Sequence, residues 1–259
     1  MTISVLSDMH CHRGDHGEFP PSFDEKTLQA ADVLVVAGDI GTRDSRDHFC
    51  NKLKRDVAGK FKEVVLLYGN HDYYTTKHLF NNVVKPNVYD NFVVSVPEKS
   101  GDGKSERMVD FVCTTLWSPI KNHEVVRYSL NDYNFIPDFT TQRCTELFYE
   151  NLEWLEKQVA FSRNEMKRDI VIVTHHLPRR ELIDEHFNDS EVNEAFCVID
   201  DDAEKRLAAL APALWIHGHS HNFMDKTIDG VRYVRNPYGY EYGFRREITG
   251  YQHNFIVTI

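Results

Sequence analysis

Short apolar runs of strand length alternate with segments of helical periodicity along this chain. The apolar runs cover residues 3–6, 33–37, 64–68, 109–114, 170–174 and 214–217. Between two of these runs, Phe148, Leu152, Leu155 and Val159 are spaced as one face of an amphipathic helix. Strands that alternate with helices predict an α/β fold.

Two predicted hairpins interrupt this alternation. One pairs residues 91–96 with residues 107–113 across a turn-rich segment at 99–104. The other pairs residues 223–228 with residues 231–235 across Asp229-Gly230, which is a strong two-residue turn signal. Antiparallel hairpins added to parallel strands predict that the sheet is mixed.

The length and composition fit one compact domain. The chain has 259 residues, of which 41% are hydrophobic and 27% are charged, so a large core can form without a disulfide or a metal ion. We predict a single domain over residues 1–259. Residues 118–142 show no regular period, and we expect them to form a long loop insertion that faces the substrate.

The net charge and the cysteines limit the partners and the compartment. A formal net charge of −10 disfavours binding to duplex nucleic acid or to an anionic membrane. The five cysteines are scattered and form no Cys-x-x-Cys pair, which favours a reducing compartment. No apolar run approaches the ~20 residues of a membrane span. We therefore expect a soluble cytoplasmic protein, and the sequence leaves its oligomeric state open.

Polar clusters follow five of the predicted strands directly. The clusters are Asp8-Met9-His10, Gly38-Asp39, Gly69-Asn70-His71-Asp72, Thr174-His175-His176 and Gly218-His219-Ser220-His221. In α/β sheets the ligand site lies beyond the carboxyl ends of the strands. The sequence therefore predicts that these side chains converge on one site.

Carboxylate, imidazole and amide groups together form a mixed oxygen and nitrogen ligand set. Such a set suits divalent Mn, Fe or Zn better than Ca, with Mg and Ni as further options. The candidate ligands are Asp8, His10, Asp39, Asn70, His175, His219 and His221. Seven ligands exceed the needs of one tetrahedral site and fit two cations that share a carboxylate, an arrangement that serves phosphoryl transfer.

These clusters, in this order and over residues 8–221, resemble the motifs of the calcineurin-like metallophosphoesterase superfamily. The resemblance implies a sandwich of two mixed β-sheets flanked by helices. It also implies a ligand assignment, in which Asp39 bridges the two cations. Asp8, His10 and His221 would hold one cation, and Asn70, His175 and His219 would hold the other. His176 is the alternative to His175, which is preferred because the family's histidine usually follows its strand directly.

The same resemblance implies a reaction. The chain would hydrolyse a phosphomonoester or a phosphodiester through in-line attack by a metal-bridging hydroxide. His71 would be the general acid that protonates the leaving alkoxide, because an imidazole can donate a proton near neutral pH. Asp72 is expected to assist by orienting the loop or the imidazole. Gly41 occupies the position of an aspartate in the protein-phosphatase branch, which weakens a protein-phosphatase interpretation.

Three further segments resemble a narrower group of small phosphoesterases. They are Thr115-Leu-Trp-Ser118, Asn131-Asp-Tyr133 and Asn236-Pro-Tyr-Gly-Tyr240. From these segments and the site clusters we predict substrate contacts by His176, Asn131, Arg235 and Tyr240. The alternative for Arg235 is an ordinary exposed position in a hairpin strand.

Two other functions fit this kind of fold. One is a binding or scaffold module that has lost catalysis, and the other is a metal-dependent nuclease. Because all seven ligands and His71 are present, the sequence favours an enzyme that acts on a small phosphoester. The net charge disfavours the nuclease.

Overall fold

The computed structural model describes residues 1–11, 18–75, 91–99, 106–242 and 245–259. Within these residues the strands are β1 (Thr2–Leu6), β2 (Val33–Ala37), β3 (Glu63–Leu67), β4 (Phe92–Lys99), β5 (Glu106–Thr114), β6 (Asp169–Thr174), β7 (Leu214–Ile216), β8 (Met224–Ile228), β9 (Val231–Arg235), β10 (Glu241–Tyr242), β11 (Arg245–Arg246) and β12 (Ile256–Thr258). The α-helices are α1 (Arg46–Asp56), α2 (His123–Ser129), α3 (Asp132–Phe135), α4 (Thr141–Ala160) and α5 (Asp201–Ala209).

The strands form two large mixed sheets. The first has the order β12-β1-β2-β3, in which β1, β2 and β3 are parallel and β12 is antiparallel. The second has the order β4-β5-β6-β7-β9-β8, with parallel strands in its centre and one antiparallel strand at each edge. This architecture confirms the predicted fold class.

Both predicted hairpins are present. β4 pairs with β5 in a register that places Phe92 opposite Cys113, and residues 100–104 of its predicted turn lie outside the described residues. β8 pairs with β9 across Asp229 and Gly230, whose φ angles of 50° and 83° are both in the left-handed region. Two such residues are typical of the tight turn that matches the twist of a hairpin.

The sandwich has helices on both outer faces, and β2 shows why. Val33, Val35 and Ala37 pack between the two sheets, whereas Leu34 and Val36 pack on the other face in the cluster that contains α1. Successive side chains of a strand point to opposite faces. Since both faces are covered, every residue of β2 is apolar and buried.

The outer face of the second sheet packs against α4. Leu152 and Leu155 of this helix share a buried cluster with Ile170, Ile172 and Trp215 of the sheet. The helix begins where the Thr140 hydroxyl accepts a hydrogen bond from the Arg143 amide. The predicted amphipathic helix is therefore confirmed.

The segment predicted as a long loop contains two short helices. Helix α2 begins with Asn122 as its N-cap and has one buried residue, Val126, and α3 is four residues long. Neither helix is long enough to produce the repeated apolar spacing by which a helix is read from sequence. None of the described helices combines the length and apolar character that crossing a membrane would require.

Candidate metal centre

The loops that follow β1, β2, β6 and β7 meet at one edge of the sandwich. The Asp8 amide donates to the Gly38 carbonyl at 3.0 Å, and the Gly218 amide donates to the His175 carbonyl at 3.1 Å. The chain reverses sharply at several of these strand ends. Residues with φ between 47° and 67° there are Asp8, His10, Asp39 and His219, a conformation that costs a non-glycine residue roughly 1–3 kcal/mol.

Two glycines allow these loops to approach closely. Gly38 has φ of 89°, and a Cβ atom at this position would lie 2.3 Å from His175 Nδ1. A Cβ atom at Gly69 would lie 2.3 Å from Asp39 Oδ1. Any side chain at either position would therefore displace the candidate ligands.

Asp8, His10 and His221 form the first group of candidate ligands, with one ligand atom each within 4.8 Å of the others. The Nε2 atoms of His10 and His221 are 3.0 Å apart. His221 Nε2 is also 3.7 Å from Asp8 Oδ1. The structure thus brings together the three residues predicted to hold one cation.

Asp39, His175 and His219 form the second group, under the same distance limit. Asn70 joins this group, because its Oδ1 atom lies 3.0 Å from His175 Nε2. All four side chains are buried. The residues predicted to hold the other cation are therefore also adjacent.

Asp39 lies between the two groups. Its Oδ2 atom is 3.4 Å from His175 Nε2 and 3.9 Å from His10 Nε2. Its Oδ1 atom accepts a hydrogen bond from the His71 amide at 2.9 Å. One carboxylate oxygen therefore faces ring nitrogens of both groups while the other is fixed by the backbone.

Hydrogen bonds made outside the centre show which atom of a candidate ligand points inward and offers a lone pair. His175 Nδ1 donates to the Ala37 carbonyl at 2.9 Å, so in the neutral ring Nε2 is unprotonated. Asn70 Nδ2 donates to Asp132 Oδ1 at 2.7 Å, so the inward atom of Asn70 is its carbonyl oxygen. Neutral His175 Nε2, Asn70 Oδ1 and Asp39 Oδ2 are all acceptors, and only a proton or a metal cation between them relieves their repulsion.

Further polar atoms of the candidate ligands are buried without a hydrogen-bond partner. They are Asp8 Oδ2, His10 Nδ1 and His219 Nε2. Buried polar atoms in folded proteins are almost always paired. The residues at this edge therefore fit a site for divalent cations, in both the chemistry of the donor set and the unsatisfied atoms.

In the centre, burial and neighbouring charges shift the pKa values of the candidate ligands. Burial alone would lower the pKa of His175, but the adjacent Asp39 carboxylate outweighs burial and raises this pKa to about 9. Burial would raise the pKa of Asp39, but His175 and His71 hold it well below its ordinary value. Burial raises the pKa of Asp8 and lowers the pKa of His10 and His219. A bound cation would take the place of the proton on His175.

His71 lies beside the metal-ligand cluster, between two tyrosines. Its ring is stacked on Tyr74, with centroids 4.2 Å apart, and its Nε2 atom is 3.5 Å from the Tyr240 hydroxyl. Its ring nitrogen also groups with His10 and Asp39 under the 4.8 Å limit. His71 therefore has ring contacts on two sides and faces the cavity described below.

Asp72 contacts the backbone of the loops. Its carboxylate accepts hydrogen bonds from the amides of Asp39, Gly41 and Gly69 at 2.8–3.0 Å. Burial, assisted by the Asp39 carboxylate, raises the pKa of Asp72 to about 7. This side chain ties the loop after β2 to the loop after β3.

Two polar residues that hold the candidate ligands were not predicted. Asp132 accepts from Asn70 and from the Tyr74 hydroxyl. Glu247 Oε2 lies 2.8 Å from His221 Nδ1, so this ring offers Nε2 to the centre. The Asn131-Asp-Tyr133 segment was a signal for Asp132, and no signal pointed to Glu247.

A cavity of about 680 Å³ opens beside the centre. Of the predicted substrate contacts, Asn131 and Tyr240 line it. His176 is buried, with its Nδ1 atom 2.8 Å from Ser118 Oγ and its ring stacked 4.2 Å from that of His219. Arg235 is also buried and donates to the carbonyls of Asn222 and Leu182. The structure places these last two behind the described cavity lining.

Comparisons with known proteins concern the family and the fold. A family model described as calcineurin-like phosphoesterase matches residues 1–223. Phosphopantetheinyl hydrolase from Mycobacterium tuberculosis is similar in structure, with a TM-score of 0.61 and 18% identity over 92% of this chain and 89% of that one. GAP50, described as the anchor in the inner membrane complex of Plasmodium, has a TM-score of 0.51 and 12% identity over 96% of this chain and 75% of that one. At such identities the likeness concerns the fold alone. A search of curated proteins gave no match.

Proposed function

The chain belongs to the calcineurin-like phosphoesterase family, and from this premise we propose that it is a phosphohydrolase that uses two divalent cations. The observation that carries the proposal is the position of Asp39 Oδ2, which faces His175 Nε2 at 3.4 Å and His10 Nε2 at 3.9 Å. A carboxylate oxygen that faces both ligand groups would let one residue contact two cations at the short separation that serves phosphoryl transfer.

The two groups of candidate ligands define one position for each cation. Asp8, His10 and His221 would hold one, Asn70, His175 and His219 would hold the other, and Asp39 would contact both. The mixed oxygen and nitrogen set favours Mn, Fe or Zn, with Mg and Ni as the alternatives. When bound, the cations would supply Lewis acidity, which generates a nucleophile from water at neutral pH and offsets the charge of the phosphoryl oxygens.

The protein side chains would position the ester and move the proton. His71 faces the cavity beside Asp39, where it would donate its proton to the ester oxygen as the bond from phosphorus to that oxygen breaks. The alcohol then leaves neutral rather than as an alkoxide. The Tyr240 hydroxyl, 3.5 Å from His71 Nε2, and the stacked Tyr74 ring would hold the imidazole in place.

A non-catalytic binding or scaffold module is the second candidate. GAP50, which is described as an anchor, has a similar fold. The complete ligand set and a histidine facing the cavity favour hydrolysis. The described residues that line the cavity include no lysine or arginine, and this disfavours a nuclease, which needs cations along the phosphate backbone.

Metal reconstitution tests the proposal. We expect metal-stripped protein to be inactive toward phosphomonoesters, cyclic nucleotides and other diesters, and to regain hydrolysis of at least one class with Mn, Zn, Mg or Ni. Asp39→Asn should bind fewer than two equivalents by elemental analysis and should lose activity. Two full equivalents in Asp39→Asn would contradict the bridging role. Protein that binds two equivalents and hydrolyses no ester would support the scaffold alternative.

We also propose that residues 1–259 form one domain. The interior cluster draws Met1 and Val257 together with residues of both sheets, so neither end of the chain is separable from the core. The expectation of a cytoplasmic protein stays a prediction.

A further inference from the structure

The cavity beside the centre has two unlike walls. One wall carries polar side chains of the centre, among them Asp39, Asn70 and His71. Residues 177–196 line another part of the cavity. We call their apolar members the apolar wall, which begins beside His219, on whose ring Phe196 is stacked at 4.6 Å, and consists of Leu177, Ile183, Phe187, Val192 and Phe196. A phosphoryl group held at the centre would therefore direct the rest of its ester toward an apolar surface.

The apolar wall is held in place by hydrogen bonds from neighbouring polar groups. Asn222 Nδ2 donates to Asp184 Oδ2 at 2.9 Å, and Asp184 Oδ1 accepts from the His186 amide at 3.1 Å. The buried Arg235 donates to the Leu182 carbonyl at 2.9 Å. Asn193 donates to the Phe187 carbonyl. The cavity is thus shaped before a ligand arrives, as small-molecule sites usually are.

The cavity lining carries carboxylates beside and beyond the centre, and one histidine outside the site clusters, His186. The lining includes the carboxylates of Asp132, Asp184 and Glu247, and among the described residues it includes no lysine or arginine. Against the described lining, a second phosphate or a carboxylate on the substrate would be desolvated beside carboxylates and would meet no lysine or arginine. Proteins that bind polyphosphates supply arginine or lysine at each phosphate.

We propose that the substrate class is a phosphoester with one phosphoryl group on an uncharged, mainly apolar organic group. The proposal rests on the phosphohydrolase function inferred above and adds the class of alcohol. The volume of about 680 Å³ lies in the range of sites for drug-sized ligands. Phe187 and Ile248 line the cavity with 52% and 95% of their surface exposed, so the apolar surface continues to the solvent and accepts a chain longer than the cavity.

A chain-length series tests this class without changing the chemistry of the leaving group. Ethyl, butyl, hexyl and octyl phosphate release primary alcohols of nearly equal acidity, so differences in kcat/KM report binding of the chain. We expect kcat/KM of the metal-reconstituted protein to rise about fourfold per buried methylene, which corresponds to about 0.8 kcal/mol. Hexane-1,6-diol bisphosphate, which adds a distal anion, should be at least tenfold poorer than hexyl phosphate.

Phe187→Ala tests the wall directly, and Phe161→Ala is its matched control. The two phenylalanines are 52% and 53% exposed, but Phe161 follows α4 and lies outside the described cavity lining. The ratio of kcat/KM for octyl over ethyl phosphate should fall several-fold in Phe187→Ala and stay as in the wild type in Phe161→Ala. Ile248→Lys should improve the bisphosphate relative to hexyl phosphate.

Binding of non-hydrolysable alkylphosphonates separates this proposal from the proposed function. Calorimetry should give affinities that increase with chain length and a negative heat-capacity change. A flat chain-length profile for both binding and hydrolysis, or a bisphosphate preferred over hexyl phosphate, overturns the substrate class while hydrolysis still stands. Chain-length-dependent binding by protein that hydrolyses no ester with any metal would instead refute the proposed function and leave the apolar site in place.

Discussion

Three candidate ligands have their outward polar atom fixed by a partner away from the centre. His175 donates to a backbone carbonyl, His221 contacts Glu247, and Asn70 donates to Asp132. Each contact decides which atom of the ligand faces inward, before any cation binds. Partners of this kind are worth 10–100-fold in metal affinity in known metal sites, so their removal should be measurable.

Asp132→Ala tests the orientation of Asn70. Without the carboxylate, the Asn70 amide has no fixed acceptor for its Nδ2 atom, so its oxygen no longer points steadily inward. We expect about one metal equivalent to be lost or to bind 10–100-fold more weakly, measured by titration of metal-stripped protein. Tyr74→Phe is the control, because it removes the other hydrogen bond to Asp132 and leaves the Asn70 contact. Two tight equivalents in Asp132→Ala would contradict this role.

His71→Asn tests the proton donor. The side chain is not one of the seven assigned ligands, so the variant should keep both cations. Hydrolysis of esters of unactivated alcohols should fall about 10²–10⁴-fold, the usual worth of general acid catalysis, whereas esters of acidic phenols should lose much less. The comparison is made by kcat/KM on an alkyl and a nitrophenyl ester. Equal losses on both would show that His71 does not protonate the leaving group.

The candidate ligands could be named from the sequence because each one stands in a short motif after a strand. The roles of Asp132 and Glu247 could not be predicted in this way. Each is far along the chain from the candidate ligand that it contacts, by 62 residues for Asp132 and 26 for Glu247. A single sequence carries no sign of such pairs. Arg235 was predicted as a substrate contact, yet it lies buried behind the cavity wall because its guanidinium satisfies two backbone carbonyls there.

At the scale of elements, the two ends of the first sheet differ in backbone conformation and in polar contacts. The carboxyl ends of β1 and β2 turn sharply through left-handed residues such as Asp8 and Asp39. The amino ends are joined by Asp32, which accepts from the amide and hydroxyl of Thr2 at 2.7 and 3.0 Å and pairs with Lys62. The polar contacts of Asp32 therefore lie at the end of the sheet opposite the strained residues.

We predict that Asp32→Asn lowers the stability of the fold by an amount that depends on pH. Burial would raise the pKa of Asp32, but hydrogen bonds from Lys62 and Thr2 outweigh burial and lower this pKa to about 2. A carboxyl with a depressed native pKa stabilises the fold above its unfolded pKa, and this contribution disappears as the pH falls through the native value. Because Asp32 and Lys62 are both partly exposed, solvent screening reduces the effect below that of the full pKa shift. We expect Asp32→Asn to lower the free energy of unfolding by about 1 kcal/mol at pH 7.

The difference between wild type and Asp32→Asn should shrink between about pH 5 and pH 2, as measured by urea denaturation. Glu153→Gln is the control, because the Glu153 carboxylate is 63% exposed and lies 3.8 Å from Lys157. Such a surface pair contributes little at any pH. A destabilisation by Asp32→Asn that is constant with pH would indicate lost packing rather than lost charge.

Of the helices, α4 could be predicted because its pattern is long, whereas α2 and α3 could not because theirs are short. Helix α4 has 20 residues and repeats its apolar spacing over several turns. Helices α2 and α3 have seven and four residues, and tertiary contacts rather than periodicity hold them. Helix α3 begins at Asp132, which accepts a hydrogen bond from Asn70. The segment whose structure was hardest to predict therefore supplies a residue that orients a candidate ligand.

For the whole molecule, the decisive fact is that the candidate ligands come from both sheets. Asp8, Asp39 and Asn70 follow strands of the first sheet, whereas His175 and His219 follow strands of the second. Strand ladders lie within each sheet, and at this edge the backbones of the two sheets meet in the short bridge between Ser7, which follows β1, and Pro237, which follows β9. A pair of cations would therefore join the two sheets at their polar edge, in addition to the apolar packing between them.

Metal removal should consequently destabilise the whole sandwich without unfolding it. A cation that binds only the folded chain adds about 2.7 kcal/mol at a free concentration of 100 times its Kd, and 1 kcal/mol shifts the Tm of a domain of this size by about 2–4 °C. We expect chelation to lower the Tm by at least 5 °C and to increase amide hydrogen exchange in β1 and β7 together. Asp32→Asn should melt lower than wild type yet keep the same metal-dependent increment, because its contacts lie at the opposite end of the first sheet. Cations that leave on chelation with no change in Tm, or exchange that increases in one sheet alone, would contradict a centre that joins the two sheets.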